Sequence, residues 1–220
     1  MSTEIEKLEA LINDNGYDGM KPEIEKLATS RVSERCELAA MLGDYANSHS
    51  EKILIGLLSD NNVKVRIEAA QSLCAFRSPE AYEALNVCLK REKNVLQKGY
   101  VISGIGYNCP DDKKADTQKL LFSILDNEKN NYLRIKIFCA LYILGDQGAI
   151  SEIMNLYNRC GSSNKCTILN DLADMLERNV GDAKDIKAFA CVAARNLPGF
   201  NVRGAFERLR VNVDRFFRMM

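Results

Sequence analysis

The chain repeats itself. An anchor position occupied by Arg35, Arg66, Gln97, Arg134, Lys165 and Arg203 recurs at steps of 31, 31, 37, 31 and 38 residues. The residues after each anchor keep the same apolar spacing. Three places on stand Leu38, Ala69, Tyr100, Ile137, Ile168 and Phe206; seven places on stand Leu42, Leu73, Gly104, Leu141 and Leu172, with Arg210 in the last repeat. Offsets of three, four and seven lie on one face of an α-helix. A second stripe precedes the first five anchors, by eight residues at Leu27, Leu58, Leu89 and Tyr157 and by nine at Leu125. Each period therefore holds two amphipathic helices, and a lone pair cannot bury both stripes. Neighbouring pairs must stack, which is what periods of 20–50 residues signify.

The expected fold is all-α, an α-α superhelix or solenoid of about six helical hairpins forming one domain over residues 1–220. A capping helix is expected at about 3–13, and repeats at about 20–46, 50–77, 79–108, 116–145, 147–178 and 183–217. The prolines fit these boundaries. Pro22 and Pro79 stand where first helices begin, Pro110 lies in a loop, and Pro198 separates the last two helices. The two long steps contain the loops 108–116 and 178–182, since insertions in repeat arrays map to loops.

Composition narrows the function classes. Thirty basic residues balance thirty acidic ones, so no global field draws the chain onto nucleic acid or an anionic membrane. No apolar run approaches a membrane span, and the start Met1-Ser2-Thr3-Glu4 is not that of a signal peptide. A cytoplasmic protein is expected. Eight cysteines occur without a Cys-x-x-Cys pair. Cys36, Cys74, Cys88, Cys139, Cys166 and Cys191 fall within helical stripes, where a reduced thiol acts as a small hydrophobe.

The stretch from Leu57 to Leu73, with Asp60, Val65-Arg66, Ala69-Ala70 and Leu73, resembles a HEAT repeat of the short kind found in bacterial and phycobilin-lyase-related proteins. The resemblance covers roughly residues 20–178 and is most specific in this repeat. Gln97 and Lys165 replace the arginine elsewhere, and Gly99 and Gly104 depart from the third repeat's stripe. The last hairpin places Glu207 and Arg210 where apolar residues belong. The resemblance implies a superhelix whose second helices line a concave surface. It also implies an inter-repeat polar ladder from Asp60, Arg66 and Arg134.

No residue set points to catalysis. The chain's one histidine, His49, is expected to be a solvated turn residue. Cys160 and Cys166 lack a second pair at metal-ligand spacing. The Gly104-Ile105-Gly106 pair falls mid-helix, without the strand that a phosphate cradle requires. The expected protein is non-enzymatic and has no metal or cofactor. Its expected partner is another protein held in the concave groove, in an adaptor, inhibitor or immunity-type role, with the chain itself a monomer or weak dimer. The proposed contact residues lie on outward columns of the second helices: Glu68, Gln71, Ile102, Lys136, Cys139, Ile143, Asn170 and Asp174. Ile102, Cys139 and Ile143 form an apolar centre within a polar rim, as interfaces do. A second candidate is a basic patch at Arg203, Arg208, Arg210 and Arg215. Two alternatives follow from the resemblance: a nucleic-acid binder related to alkylpurine DNA glycosylases, or a lyase-like chaperone for a prosthetic group. The absence of tryptophan and of net positive charge counts against the first.

Overall fold

A computed structural model describes residues 4–195 and 197–218. The chain divides into two compact units, Met1–Pro110 and Asp111–Met220. Thr3, the expected first residue of the cap, lies outside the described residues, and no strand is present among those described.

The first unit contains α1 (Glu4–Asn15) and three hairpins: α2 (Lys21–Leu27) with α3 (Val32–Leu42), α4 (Ser48–Leu57) with α5 (Val63–Ser72), and α6 (Pro79–Arg91) with α7 (Val95–Asn108). Helix α1 buries Ile5, Leu8 and Ile12, one helical stripe, as a cap should. The second helices α3, α5 and α7 pack side by side. Their +3 and +7 residues Leu38, Leu42, Ala69 and Leu73 are fully buried. Gly104 lets two helices approach closely: a Cβ at this position would stand 2.8 Å from Leu85 Cδ1 on α6.

The second unit repeats this plan with α8 (Lys114–Leu125) and α9 (Asn131–Ile143), α10 (Ala149–Arg159) and α11 (Ser162–Glu177), and α12 (Ala183–Ala193) and α13 (Gly199–Arg218). Here α9 packs on α11, and α11 packs on α13. Tyr157 and Phe189 meet edge to face at 5.4 Å beneath them, and both are buried. The ammonium of Lys165 lies 4.7 Å from the Tyr157 ring centre.

Three of the turns between paired helices share a device that the repeat pattern alone does not reveal. An acid stands two residues before an asparagine in Asp60-Asn61-Asn62, Glu92-Lys93-Asn94 and Glu128-Lys129-Asn130. Each acid accepts the asparagine's backbone N–H, at 2.7, 2.8 and 2.7 Å. Each asparagine then caps the following helix by accepting from Lys64 N, Gln97 N or Tyr132 N. The first two acids also receive the anchor arginine of the preceding repeat. Arg35 Nε and Nη2 grip Asp60 at 2.7 and 3.0 Å. Arg66 Nε reaches Gln97 Oε1 at 2.7 Å and Glu92 at 3.3 Å. The ladder implied by the resemblance is thus present in the first unit. Arg134 differs: its Nη1 bonds the Glu128 carbonyl in its own turn, and its guanidinium lies over Phe138.

Hydrogen bonding to Arg35 holds the Asp60 carboxyl below the usual carboxylate range despite its burial. Its folded pKa therefore lies below the unfolded one, near 3.9. The resulting stabilisation is complete above that value and is lost as pH falls through the folded pKa. Asp60→Asn is expected to lower stability by about 1–2 kcal/mol at pH 7. In urea titrations the variant and the parent should converge as pH falls through that lowered folded pKa.

Two expectations need correction. His49 is not a solvated turn residue. Asn47 caps α4 and draws it onto the helix, where Nδ1 meets Tyr17 Oη at 3.0 Å and Nε2 meets Glu25 Oε1 at 3.2 Å. The cysteines are all free, but only Cys74, Cys88 and Cys139 are buried. Cys36 and Cys166 are half-buried and Cys191 is exposed, because these flank the apolar stripe rather than sit within it.

Candidate protein-interaction groove

The expected contact residues separate on inspection. In the first unit Gln71 is exposed and Glu68 half-buried, and burial lifts the Glu68 carboxyl above its usual range. Ile102 has no exposed surface. In the second unit Lys136 is 4% exposed and Cys139 3%. Ile102, Lys136 and Cys139 are therefore core residues, and the apolar surface centre expected from them does not exist. The physical reason is visible in their helices. Val101 through Gly106 and Leu133 through Leu144 are apolar on nearly every side, and a helix apolar all round is a buried one. That signal was available in the sequence. Ile143 alone remains half-buried, on the rim of a cavity of about 450 Å³ shared with Phe216 and Phe217.

Lys136 is buried with a partner. Its Nζ donates to Asp171 Oδ1 at 2.6 Å, while Asp171 Oδ2 is buried without a hydrogen bond among the described residues. Burial by itself would drive the ammonium towards its neutral form, but the attraction of Asp171 outweighs it and holds the pKa above the usual lysine value. The Cys139 thiol lies beside the same carboxylate. Burial, reinforced by Asp171, pushes that thiol well above its usual range, which removes it as a nucleophile.

The open surface lies farther along, between α11 and α13. Here a stripe with a step of four residues on α11, Ser162, Cys166 and Asn170, faces Asn201, Gly204, Ala205 and Arg208 on α13 across a groove of about 620 Å³. Phe200, at the start of α13, lines the same groove and is 89% exposed. An exposed aromatic beside small and amide-bearing residues is a marked departure from an ordinary solvated face. Asn170, an expected contact residue, lies in this groove. Asp174, another, sits one turn beyond and pairs with Arg208 Nη2 at 2.5 Å. Burial lifts the Asp174 carboxyl above the usual range even against the pull of Arg208. Arg208 also reaches Glu177 at 2.9 Å.

The basic patch is correspondingly weaker than expected. Arg208 holds two carboxylates across to α11, and Arg210 holds Glu207 at 2.9 Å and Asp214 at 3.2 Å along its own helix. Arg203 is exposed, and Arg215 lines a smaller cavity with Glu177, Asn212 and Phe216. Phe200, Cys166 and Gly204 are not among the contact residues expected from sequence. The four-residue recurrence through 162, 166 and 170 and through 200, 204 and 208 was the signal that pairs them.

Among the described residues no group of three or more His, Cys, Asp or Glu side chains could hold a metal ion, and no helix is long and apolar enough to cross a membrane. The stacked hairpins and the groove between consecutive second helices define an all-α helical-repeat protein. Residues 22–99 match the family model of HEAT repeats, and this part of the chain is a run of HEAT repeats. The match runs from α2 into α7 and includes the Asp60–Arg66 segment. HEAT repeats are generally protein-interaction scaffolds. No curated protein matches the chain.

Proposed function

We propose that this chain is a non-enzymatic interaction module that holds a partner protein in the groove between α11 and α13. The observation that carries this reading is Phe200. A large aromatic left 89% exposed at the mouth of a groove is a surface that association would bury, and aromatic side chains dominate binding hot spots. The amides of Asn170 and Asn201 supply both donors and acceptors for a partner's polar groups. The pairing of Arg208 and Arg210 with carboxylates favours a protein partner over a phosphate backbone, which requires unpaired cations.

The test is site-specific photo-crosslinking in native lysate of the source cells. A photoreactive residue at position 200 or 170 is expected to give one discrete adduct. The same residue at Asn155, exposed on α10, is expected to give none. An adduct pattern that is equal at all three positions, or absent at 200 and 170, overturns the reading.

A further inference from the structure

We propose that the partner at this surface is a second copy of the chain, whose α13 lies antiparallel along the outward face of α13 at the edge of the groove. This rests on the groove side of α13 being a docking surface. At about 100° per residue, Phe200, Gly204, Glu207 and Val211 fall within about 60° of one another, opposite the buried stripe of Val202, Phe206, Leu209 and Val213. Phe200 is 89% exposed and Val211 53%. A two-fold interface requires one patch to complement itself, with residue i meeting j and j meeting i. This seam meets that requirement. An axis level with the midpoint between Phe200 and Val211 brings Phe200 of each copy onto Val211 of the other, and the two contacts lie about 16 Å apart along the helices.

Gly204 stands beside that axis. A Cβ there meets nothing within 4 Å, so nothing in the chain's own packing calls for a glycine inside this helix, where it costs about 1 kcal/mol. It does leave room for a second backbone to approach. Charge does not oppose the arrangement. Arg208 is held within the chain by Asp174 and Glu177, so the two copies do not repel there. Arg210 is shared by Glu207 and Asp214, which leaves that trio with one uncompensated negative charge. Arg203 is exposed and has no carboxylate partner among the described residues. In the antiparallel pair it comes level with this trio of the other copy, and the symmetry repeats the match. The contact area is modest. Helix α13 is about 30 Å long and, with the edge of α11, about 20 Å wide. That gives about 1,200 Å² over both copies, the lower end of specific interfaces, and a dimer with a micromolar Kd fits it.

The experiment is sedimentation equilibrium of the full chain over a series from micromolar to millimolar concentration. A reversible monomer–dimer equilibrium is expected. Phe200→Asp and Val211→Asp should each weaken it by about tenfold or more. Gly204→Glu, which sets a second carboxylate level with Glu207 of the other copy, should abolish it. All three positions are exposed, so circular dichroism should show the parent's helical content in each variant. A photoreactive residue at position 200 of the purified chain should give an adduct of two chains, with its linkage mapping to α13 around Val211. A monomer throughout the series overturns the second copy as occupant; a discrete position-200 adduct of another mass in lysate would then show that the docking surface survives with a different partner. A dimer indifferent to all three substitutions overturns the α13 seam. Absence of any position-200 adduct, in the purified chain and in lysate alike, removes the docking surface as well.

Discussion

Asp171→Leu is expected to lower the folding free energy by about 3–5 kcal/mol, the usual consequence of stranding one member of a buried ion pair. Lys136 is 4% exposed and Asp171 Oδ1 is its carboxylate partner at 2.6 Å. With the carboxylate gone, the ammonium faces a buried site alone. Its folded pKa should then fall below the unfolded value. The deficit in the variant should be largest near neutral pH and shrink as pH rises towards the normal lysine pKa of about 10.4, where the unfolded side chain also loses its proton. Adding Lys136→Met should recover most of the loss, since an apolar replacement of both partners is often neutral. Urea denaturation of the two single variants and the double variant, at pH 7 and pH 9.5, would measure the coupling. If Asp171→Leu costs under about 1 kcal/mol, the pair is solvated and the account of the α9–α11 contact is wrong.

Gly181→Ala is expected to cost about 2–4 kcal/mol, combining a left-handed backbone penalty with overpacking. Gly181 has φ +76°, and a Cβ there would stand 2.7 Å from Cε1 of Tyr142. That ring cannot easily yield. It is 2% exposed, and its hydroxyl accepts the Asp182 N–H at 2.9 Å, fixing the loop before α12. Burial pushes the Tyr142 phenol up to about 12, so it stays protonated across the physiological range. It can donate to the Asp182 carbonyl or the Asp185 carboxylate, at 3.2 and 3.3 Å. Gly145 supplies the control. Its φ is +98°, but a Cβ there meets nothing within 4 Å. Gly145→Ala should therefore cost only the backbone penalty, about 1 kcal/mol. Thermal melts of the two variants separate strain from contact; equal losses would show that the Tyr142 contact contributes nothing.

The core side of each hairpin was legible because it repeats. Leu38, Ala69, Ile137 and Ile168 recur at one offset from the anchor, and all are fully buried. The opposite side is not legible in this way, because one column runs through helices that differ in environment. Offset +5 is exposed at Ala40 and Gln71, buried at Ile102 and Cys139, and open again at Asn170 and Arg208. Its periodicity is real, but exposure depends on what packs against each helix, and periodicity carries no information on that. The state of the arginines is hidden for a related reason. Arg208 finds Asp174 and Glu177 from a different helix, a pairing that depends on how α13 rests on α11. The groove itself combines stretches thirty or more residues apart in sequence, and its small side chains are conspicuous only once the two helices are aligned.

The acid–x–asparagine turns have a consequence for how the array assembles. Acid, cap and first helical turn lie within a handful of consecutive residues, so the signal that starts α5, α7 or α9 closes over a very short loop. Such contacts cost little chain entropy and form early in folding. Stacking of neighbouring hairpins, which brings Arg35 to Asp60 across twenty-five residues, can then act on segments whose ends are already defined. A fold of this kind grows by addition of prepared units, and its rate should depend on the turns more than its final stability does.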